Sequence, residues 1–243
     1  MTAREVMTLA RSGELLQLSP TIRDNDVTIA TFINLALIEI YKRFILKTGE
    51  IIITLKDGVS VYKLDGTDTT VVNILGVDIQ CVDFGPSSPG AYMYMIGAYG
   101  NGADLGDYTV EDVVLPINVE DNLMSINTVS YNEVQVPLIT EGATISIIYA
   151  AAPTKIDIAA VSSAVTKDAE LDKLLDIPDQ FTESLLHYMG YRGQGAMDAN
   201  IQAESNTHYM RFEASCNKLR ELGVGITSDD LNMDTRLSKR GFI

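Results

Sequence analysis

With 243 residues, 46% of them hydrophobic and 21% charged, the chain has enough apolar material for one large domain or two small ones and is not a disordered polymer. No apolar run reaches the roughly 18 residues of a membrane helix, and the opening MTAREVMTLARSGELL lacks the apolar core of a signal peptide, so a soluble, unexported protein with no membrane partner is expected. The net charge of −15 is concentrated: from Asp65 to Thr154 there are twelve acids and no Lys or Arg, which leaves 21 of the 33 acids for the rest of the chain against all 18 basic residues, and so acidic a middle disfavours ordinary recognition of a phosphate backbone.

In chain order, Thr2 and Glu5 form a capping-box pattern ahead of a short amphipathic helix whose apolar side is Val6, Leu9 and Ala10. Ser12, Gly13 and Pro20 bracket a polar link. Asp24 or Asp26 can cap the next helix, which runs through Phe44 with Ile29, Phe32, Ile33, Ala36, Ile40 and Phe44 at helical spacing. Leu35, Leu37 and Ile38 widen its apolar arc, so this helix is expected between two neighbours.

A different pattern follows. Ile51, Ile52, Ile53 and Leu55, then Asp57-Gly58, then a return over 60–64, read as a β-hairpin. Further strands are expected over 70–75, 77–84, 113–117, 124–129, 133–138 and 144–149. Turn residues between these runs suit an antiparallel sandwich or small barrel. Residues 85–107 carry six glycines and are expected to form an exposed excursion rather than regular strand, with Tyr92, Met93, Tyr94, Met95 and Tyr99 as sticky tips.

The strongest pattern lies in 177–223, two antiparallel helices. Pro178 and Asp179 suit a helix start; Phe181, Leu185, Tyr188 and Met189 make an apolar stripe, with Thr182, Glu183 and His187 on the other side. Gly190, Gly193 and Gly195 predict a break or a close backbone approach. The second helix, from near Asp198, carries Ile201, Ser205, Tyr209, Phe212, Cys216 and Leu219 on one side and stops at Gly223. The fold class expected is therefore α+β: a helical bundle from 1–48 and 155–225, with Phe32, Ile33, Ala36, Ile40, Leu185, Met189 and Phe212 as its core, and an inserted acidic β-rich domain over 49–154. The tail over 226–243 has no helical or strand period and mixes charge with Leu237, Phe242 and Ile243, as a docking arm that orders on a partner would.

No catalytic or cofactor-binding motif is present. The two histidines, His187 and His208, sit in no HExxH motif and read as hydrogen-bonded or solvated residues of the helix pair. Cys81 and Cys216 lack CxxC spacing and read as reduced thiols, so no metal is assigned. Asp104, Asp107, Glu111 and Asp112 are dense enough to attract a hard cation but lack the ligand order of an EF-hand.

The succession NLALIEIYKRF (34–44), TISIIYAAAP (144–153), IPDQFTESLLHYMGYRGQG (177–195) and HYMRFEA (208–214) resembles the head-to-tail adaptors of short-tailed bacteriophages, also called gatekeepers or tail tubular proteins, over nearly the whole chain. The resemblance implies a non-enzymatic virion protein assembled in the host cytoplasm, a ring of twelve copies between the portal protein and the tail nozzle protein, with DNA passing through without specific binding. It implies a portal-docking role for Arg236, Leu237, Lys239, Arg240, Phe242 and Ile243, and a channel-facing one for Asp104, Asp107, Glu111 and Asp112, where fixed negative charge would hold phosphates off the wall within about 8 Å at physiological salt. Two other readings stay open: a β-rich capsid- or tail-associated module for receptor or glycan adhesion, and a hydrolase without a recognised motif.

Overall fold

The computed structural model describes residues 1–56, 59–64, 71–74, 77–81, 92–101, 113–114, 117–118, 125–130, 133–136, 144–195 and 202–224. Helices and sheets are segregated along the chain, as in an α+β protein. Two compact units result, one from Met1–Leu46 with Pro153–Ile243 and the other from Lys47–Ala152.

The helical unit starts with α1 (Ala3–Ser12), held by the expected box: the Glu5 N–H donates to the Thr2 hydroxyl and the Thr2 N–H donates to the Glu5 carboxylate. Ala3, Val6, Met7 and Ala10 face inward, whereas Leu9 is 46% exposed and leaves the apolar side it was assigned. The link to α2 (Pro20–Arg23) is not polar, because Leu15 and Leu18 are buried in the same core. α3 (Asp26–Arg43) is capped by Asn25, whose side-chain oxygen accepts the Thr28 N–H; neither Asp24 nor Asp26 serves. Asp26 is instead drawn into an ion pair with Arg11 and Lys167.

After the β unit come two five-residue helices that no periodic pattern in the sequence announces, α4 (Ile158–Ser162) and α5 (Lys167–Leu171). A single 3-10 turn (Asp179–Phe181) leads into α6 (Thr182–Gln194), and α7 (Gln202–Glu221) returns along it. Past α7, Gly223 takes φ 68°, the left-handed conformation that lets the Val224 N–H reach the Leu219 carbonyl at 2.9 Å. α6 packs on α1, α3 and α7. One cluster collects their apolar sides, and Phe32, Ile33, Ala36, Ile40, Leu185, Met189 and Phe212 all lie within it.

Two polar contacts cross that core. Asn34, in mid-helix, donates its amide to the Ile156 carbonyl at 2.9 Å and accepts the Ile156 N–H at 2.8 Å, satisfying both backbone groups of a buried residue 122 positions away. The Ser184 and Ser215 hydroxyls meet at 2.7 Å between α6 and α7.

The β unit has a four-stranded sheet in the order β1 (Thr48–Thr54), β9 (Thr144–Ala151), β5 (Tyr92–Asn101), β6 (Val113–Val114). A second sheet runs β3 (Val71–Ile74), β4 (Val77–Cys81), β2 (Val61–Lys63), β8 (Glu133–Gln135), β7 (Asn127–Ser130). The expected hairpin across Asp57-Gly58 does not form: β1 pairs with β9, and β2 lies in the other sheet between β4 and β8. Its turn signal falls on residues 57–58, outside those described, but the apolar alternation decides the pairing. Gly49, Ile51 and Ile53 are buried and the residues between them exposed, and β9, central and buried almost throughout, is the partner such an edge needs. The second sheet is also not wholly antiparallel, since β2 and β4 run parallel.

The expectation of an irregular excursion over 85–107 fails for 92–101, a ten-residue strand paired antiparallel with β9 along its length. Irregularities between Tyr92 and Tyr94 and between Met95 and Gly97 absorb the mismatch, and the β-favouring Tyr and Ile outweigh the glycines. Ile51, Ile53, Ala98, Ile147 and Tyr149 of the first sheet share one core with Tyr62 and Val134 of the second.

Candidate functional site

The residues of the two C-terminal motifs meet those of NLALIEIYKRF at the junction of α3, α6 and α7. Arg43 grips Glu213 with two hydrogen bonds of 2.6 and 2.7 Å, reaches Glu39 and the Tyr209 hydroxyl, and stacks its guanidinium 4.6 Å from the Phe212 ring centroid. Tyr188 and Tyr209 pack their rings around Phe212, at 5.1 and 6.0 Å. The Arg43 guanidinium holds the Glu213 carboxyl below the usual glutamate range despite partial burial. Glu213 and Arg43 in turn pull the Tyr209 hydroxyl in opposite directions, the glutamate prevailing so that its pKa is raised.

Next to this junction the fold assembles a second polar group from three elements. The chain leaves α1 at Gly13, whose N–H reaches the Leu9 and Ala10 carbonyls, and Leu15 donates back to Ala10 at 2.8 Å, a tight exit that presents Glu14 sideways. Leu15 and Leu18 then press on α6 where Gly193 has no side chain: a Cβ there would sit 2.9 Å from Leu15 Cδ2 and 2.7 Å from Leu18 Cδ1. That pinning sets Glu14 beside His187 of α6. His208 of α7 enters at Gly190, where a Cβ would lie 2.7 Å from its Nδ1.

The carboxylate of Glu14 stands between the two rings. Its Oε1 is 3.1 Å from His187 Nδ1 and its Oε2 is 2.8 Å from His208 Nδ1, and one donor atom from each of the three residues lies within 4.8 Å of the others. The side chains are 20%, 13% and 10% exposed for Glu14, His187 and His208. His187 Nδ1 is sealed from solvent and, although close to Glu14, makes no hydrogen bond. Its Nε2 looks towards Glu183 Oε1, 3.7 Å away and one turn earlier. Two imidazoles and a carboxylate are able to hold either shared protons or a divalent metal ion.

Helical periodicity alone puts His187 on the far side of the helix from the core and joins neither histidine to Glu14. The available signal is Gly190, three residues after His187 and on the same side of α6, where a missing side chain marks the approach of a neighbour. Cys216 is buried, and burial raises its thiol pKa. The acids Asp104, Asp107, Glu111 and Asp112, the arm residues Arg236, Leu237, Lys239, Arg240, Phe242 and Ile243, and the side chain of Cys81 all fall outside the described residues.

Against known families, the model of the SU10 adaptor protein family matches residues 1–237. The chain belongs to that family. It is thus a structural adaptor of the phage head-to-tail class, as the resemblance of its motifs implied. No curated protein matches the chain. Among the described residues of this SU10 adaptor no helix is long and apolar enough to cross a membrane. The match spans both units and includes Arg43, Glu213, Glu14, His187 and His208.

Proposed function

We propose that this SU10 adaptor assembles as a ring, of twelve copies, between the portal and the tail nozzle, and that the ring continues the channel through which the genome leaves the head. The family match over residues 1–237 is the observation that carries the reading. Two features of the sequence support its details. The stretch from Asp65 to Thr154, with twelve acids and no Lys or Arg, suits a wall along which DNA slides without sticking, and Asp104, Asp107, Glu111 and Asp112 are its proposed channel-facing members. The residues after Gly225 mix Arg236, Lys239 and Arg240 with Leu237, Phe242 and Ile243, and are proposed to dock on the portal, where many copies engaging at once offset the entropy of ordering each arm.

Electron microscopy of the purified protein, alone and mixed with its portal, tests the assembly: ring-shaped density seated on the portal is expected. A protein that stays monomeric with portal present and binds a glycan would replace this reading with adhesion. Truncation after Gly225 tests the arm. The shortened protein should fold as before yet fail to attach to portal-bearing heads, and unimpaired attachment would remove the arm from the proposal. Neutralising Asp104, Asp107, Glu111 and Asp112 together should slow genome packaging or ejection; unchanged packaging and ejection would assign these acids to solubility alone.

A further inference from the structure

We propose that Glu14, His187 and His208 form a binding site for a divalent transition-metal ion of the kind that prefers imidazole, with Zn2+ as its simplest occupant, and that the ion clasps the 13–18 link onto α6 and α7.

The donor set is the first argument. Two imidazole nitrogens and a carboxylate are the ligands of three-residue zinc sites, whereas Mg2+ and Ca2+ select oxygen alone. The second argument is direction. Had the two histidines simply donated to the carboxylate, His187 Nδ1 would show a hydrogen bond to Glu14 at its 3.1 Å separation, and it does not. The nitrogen is thus close to the oxygen but not aimed at it, as two ligands of a common centre are. A tetrahedral ion with bonds of about 2.0 to 2.1 Å sets its ligand atoms roughly 3.3 Å apart. The donors here lie within 4.8 Å of one another, so adjustments of about 1 Å in side chains with some remaining exposure close the set.

The third argument comes from the atoms behind the ligands. A metal-binding histidine ordinarily donates its other ring N–H to a carboxylate, which fixes the tautomer and strengthens the ligand. His187 Nε2 has Glu183 Oε1 at 3.7 Å, one helical turn away, longer than a hydrogen bond but within reach of that role by a small rotation of the exposed glutamate side chain. The supports are rigid as well: His187 and His208 stand on the two longest-packed helices of the unit, and Glu14 is pinned by Leu15 and Leu18 against Gly193. Bound metal would join the link after α1 to α6 and α7 through three residues far apart in sequence, leaving a fourth position for water.

The test uses the full chain, free of any histidine tag and stripped with a chelator. Zn2+ should bind at one equivalent per chain, raise the thermal midpoint by about 5 °C at a hundredfold excess over Kd, and be competed by Ni2+ and Co2+ but not by Mg2+ or Ca2+. The Co2+ form should show the visible d–d bands of a four-coordinate site with nitrogen and oxygen ligands, a readout that needs no variant. Glu14→Gln and His187→Gln should abolish both effects while keeping the circular dichroism of the stripped wild type, and Glu183→Gln should weaken Zn2+ about tenfold or more. No binding of Zn2+ below about 100 µM, octahedral Co2+ only, or Zn2+ binding unchanged in Glu14→Gln and His187→Gln would each overturn the site.

Discussion

The two units solve the problem of holding a long-range fold in opposite ways. The helical unit joins segments more than a hundred residues apart, and does so with directed polar contacts laid over an apolar core: Asn34 to the Ile156 peptide, Arg43 to Glu213, Arg4 to Asp168 and Asp172, and Asp26 to Lys167. The β unit has only Lys47, Lys56 and Lys63 with which to balance its acids. It relies on alternation and shape, seen in the buried rows of β1 and β9 and in Tyr149 lying over Gly49, its cross-strand partner. Register specified by polar pairs is most sensitive to a change that strands a buried donor or acceptor, such as the Ile156 peptide, and less so to loss of a partly exposed charge. Register specified by packing is most sensitive to a change of volume.

The contrast can be broken at its apolar base first. Phe212→Ala, at a fully buried ring that also carries Arg43 and Tyr188, should cost the helical unit about 3 to 5 kcal/mol in denaturant unfolding, and a loss below about 1 kcal/mol would remove this core from the account. Asn34→Leu keeps the volume but strands the N–H and carbonyl of Ile156, and should cost about 2 to 4 kcal/mol. A near-neutral result there would show that polar stitching is dispensable. On the other side, Gly49→Ala drives a methyl to within 2.5 Å of the Tyr149 ring and should destabilise the β unit by about 1 to 3 kcal/mol, with Tyr149→Phe, which shortens the ring by its hydroxyl, relieving part of the loss in the double variant.

The smallest effect is electrostatic. Hydrogen bonding by Arg43 lowers the Glu213 pKa, Lys173 and the Asp157 N–H lower that of Glu170, and for Asp26 burial pushes the carboxyl up but Lys167 and Arg11 together outweigh it. Carboxyls whose folded pKa is depressed contribute stability above their unfolded pKa and lose it as pH falls through the folded one. Stability of the helical unit should therefore decline with acid below the ordinary values of 3.8 for Asp and 4.5 for Glu. Glu213→Gln should cost less than about 1 kcal/mol at pH 7, because the pair is partly exposed, and the gap to wild type should close on going below that window. A gap that widens in acid would reverse the assigned sign.

Much of the helical unit was legible because its signals are local. The Thr2–Glu5 box, the stripe through Phe32 and Ile40, and Gly223 at the end of α7 each announce themselves within a turn or two of chain. The pairing of β1 was not legible, since Asp57-Gly58 offers a strong local turn while the partner that buries Ile51 and Ile53 is β9, about ninety residues on. β5 was hidden by glycines whose strand tolerance depends on a neighbour already in place. The Glu14, His187 and His208 cluster was invisible for the same reason. Its three members share no spacing rule, and Gly190 and Gly193, which make room for it, look in sequence like helix breakers.

The register of β1 with β9 has a further effect on the energetics of the whole chain. Thr48 faces Ala150, and the Ala151 N–H bonds to the Lys47 carbonyl, so the β unit brings its first and last residues side by side. To the helices it interrupts, a folded insertion of about a hundred residues then acts as a tether only a few residues long. The loop-closure entropy between Leu46 and Pro153 falls by about 3 kcal/mol on that account. Folding of the sheet thereby favours folding of the helices through chain connectivity alone, and any substitution that unzips β1 from β9 should destabilise Asn34 and Ile156 without touching either.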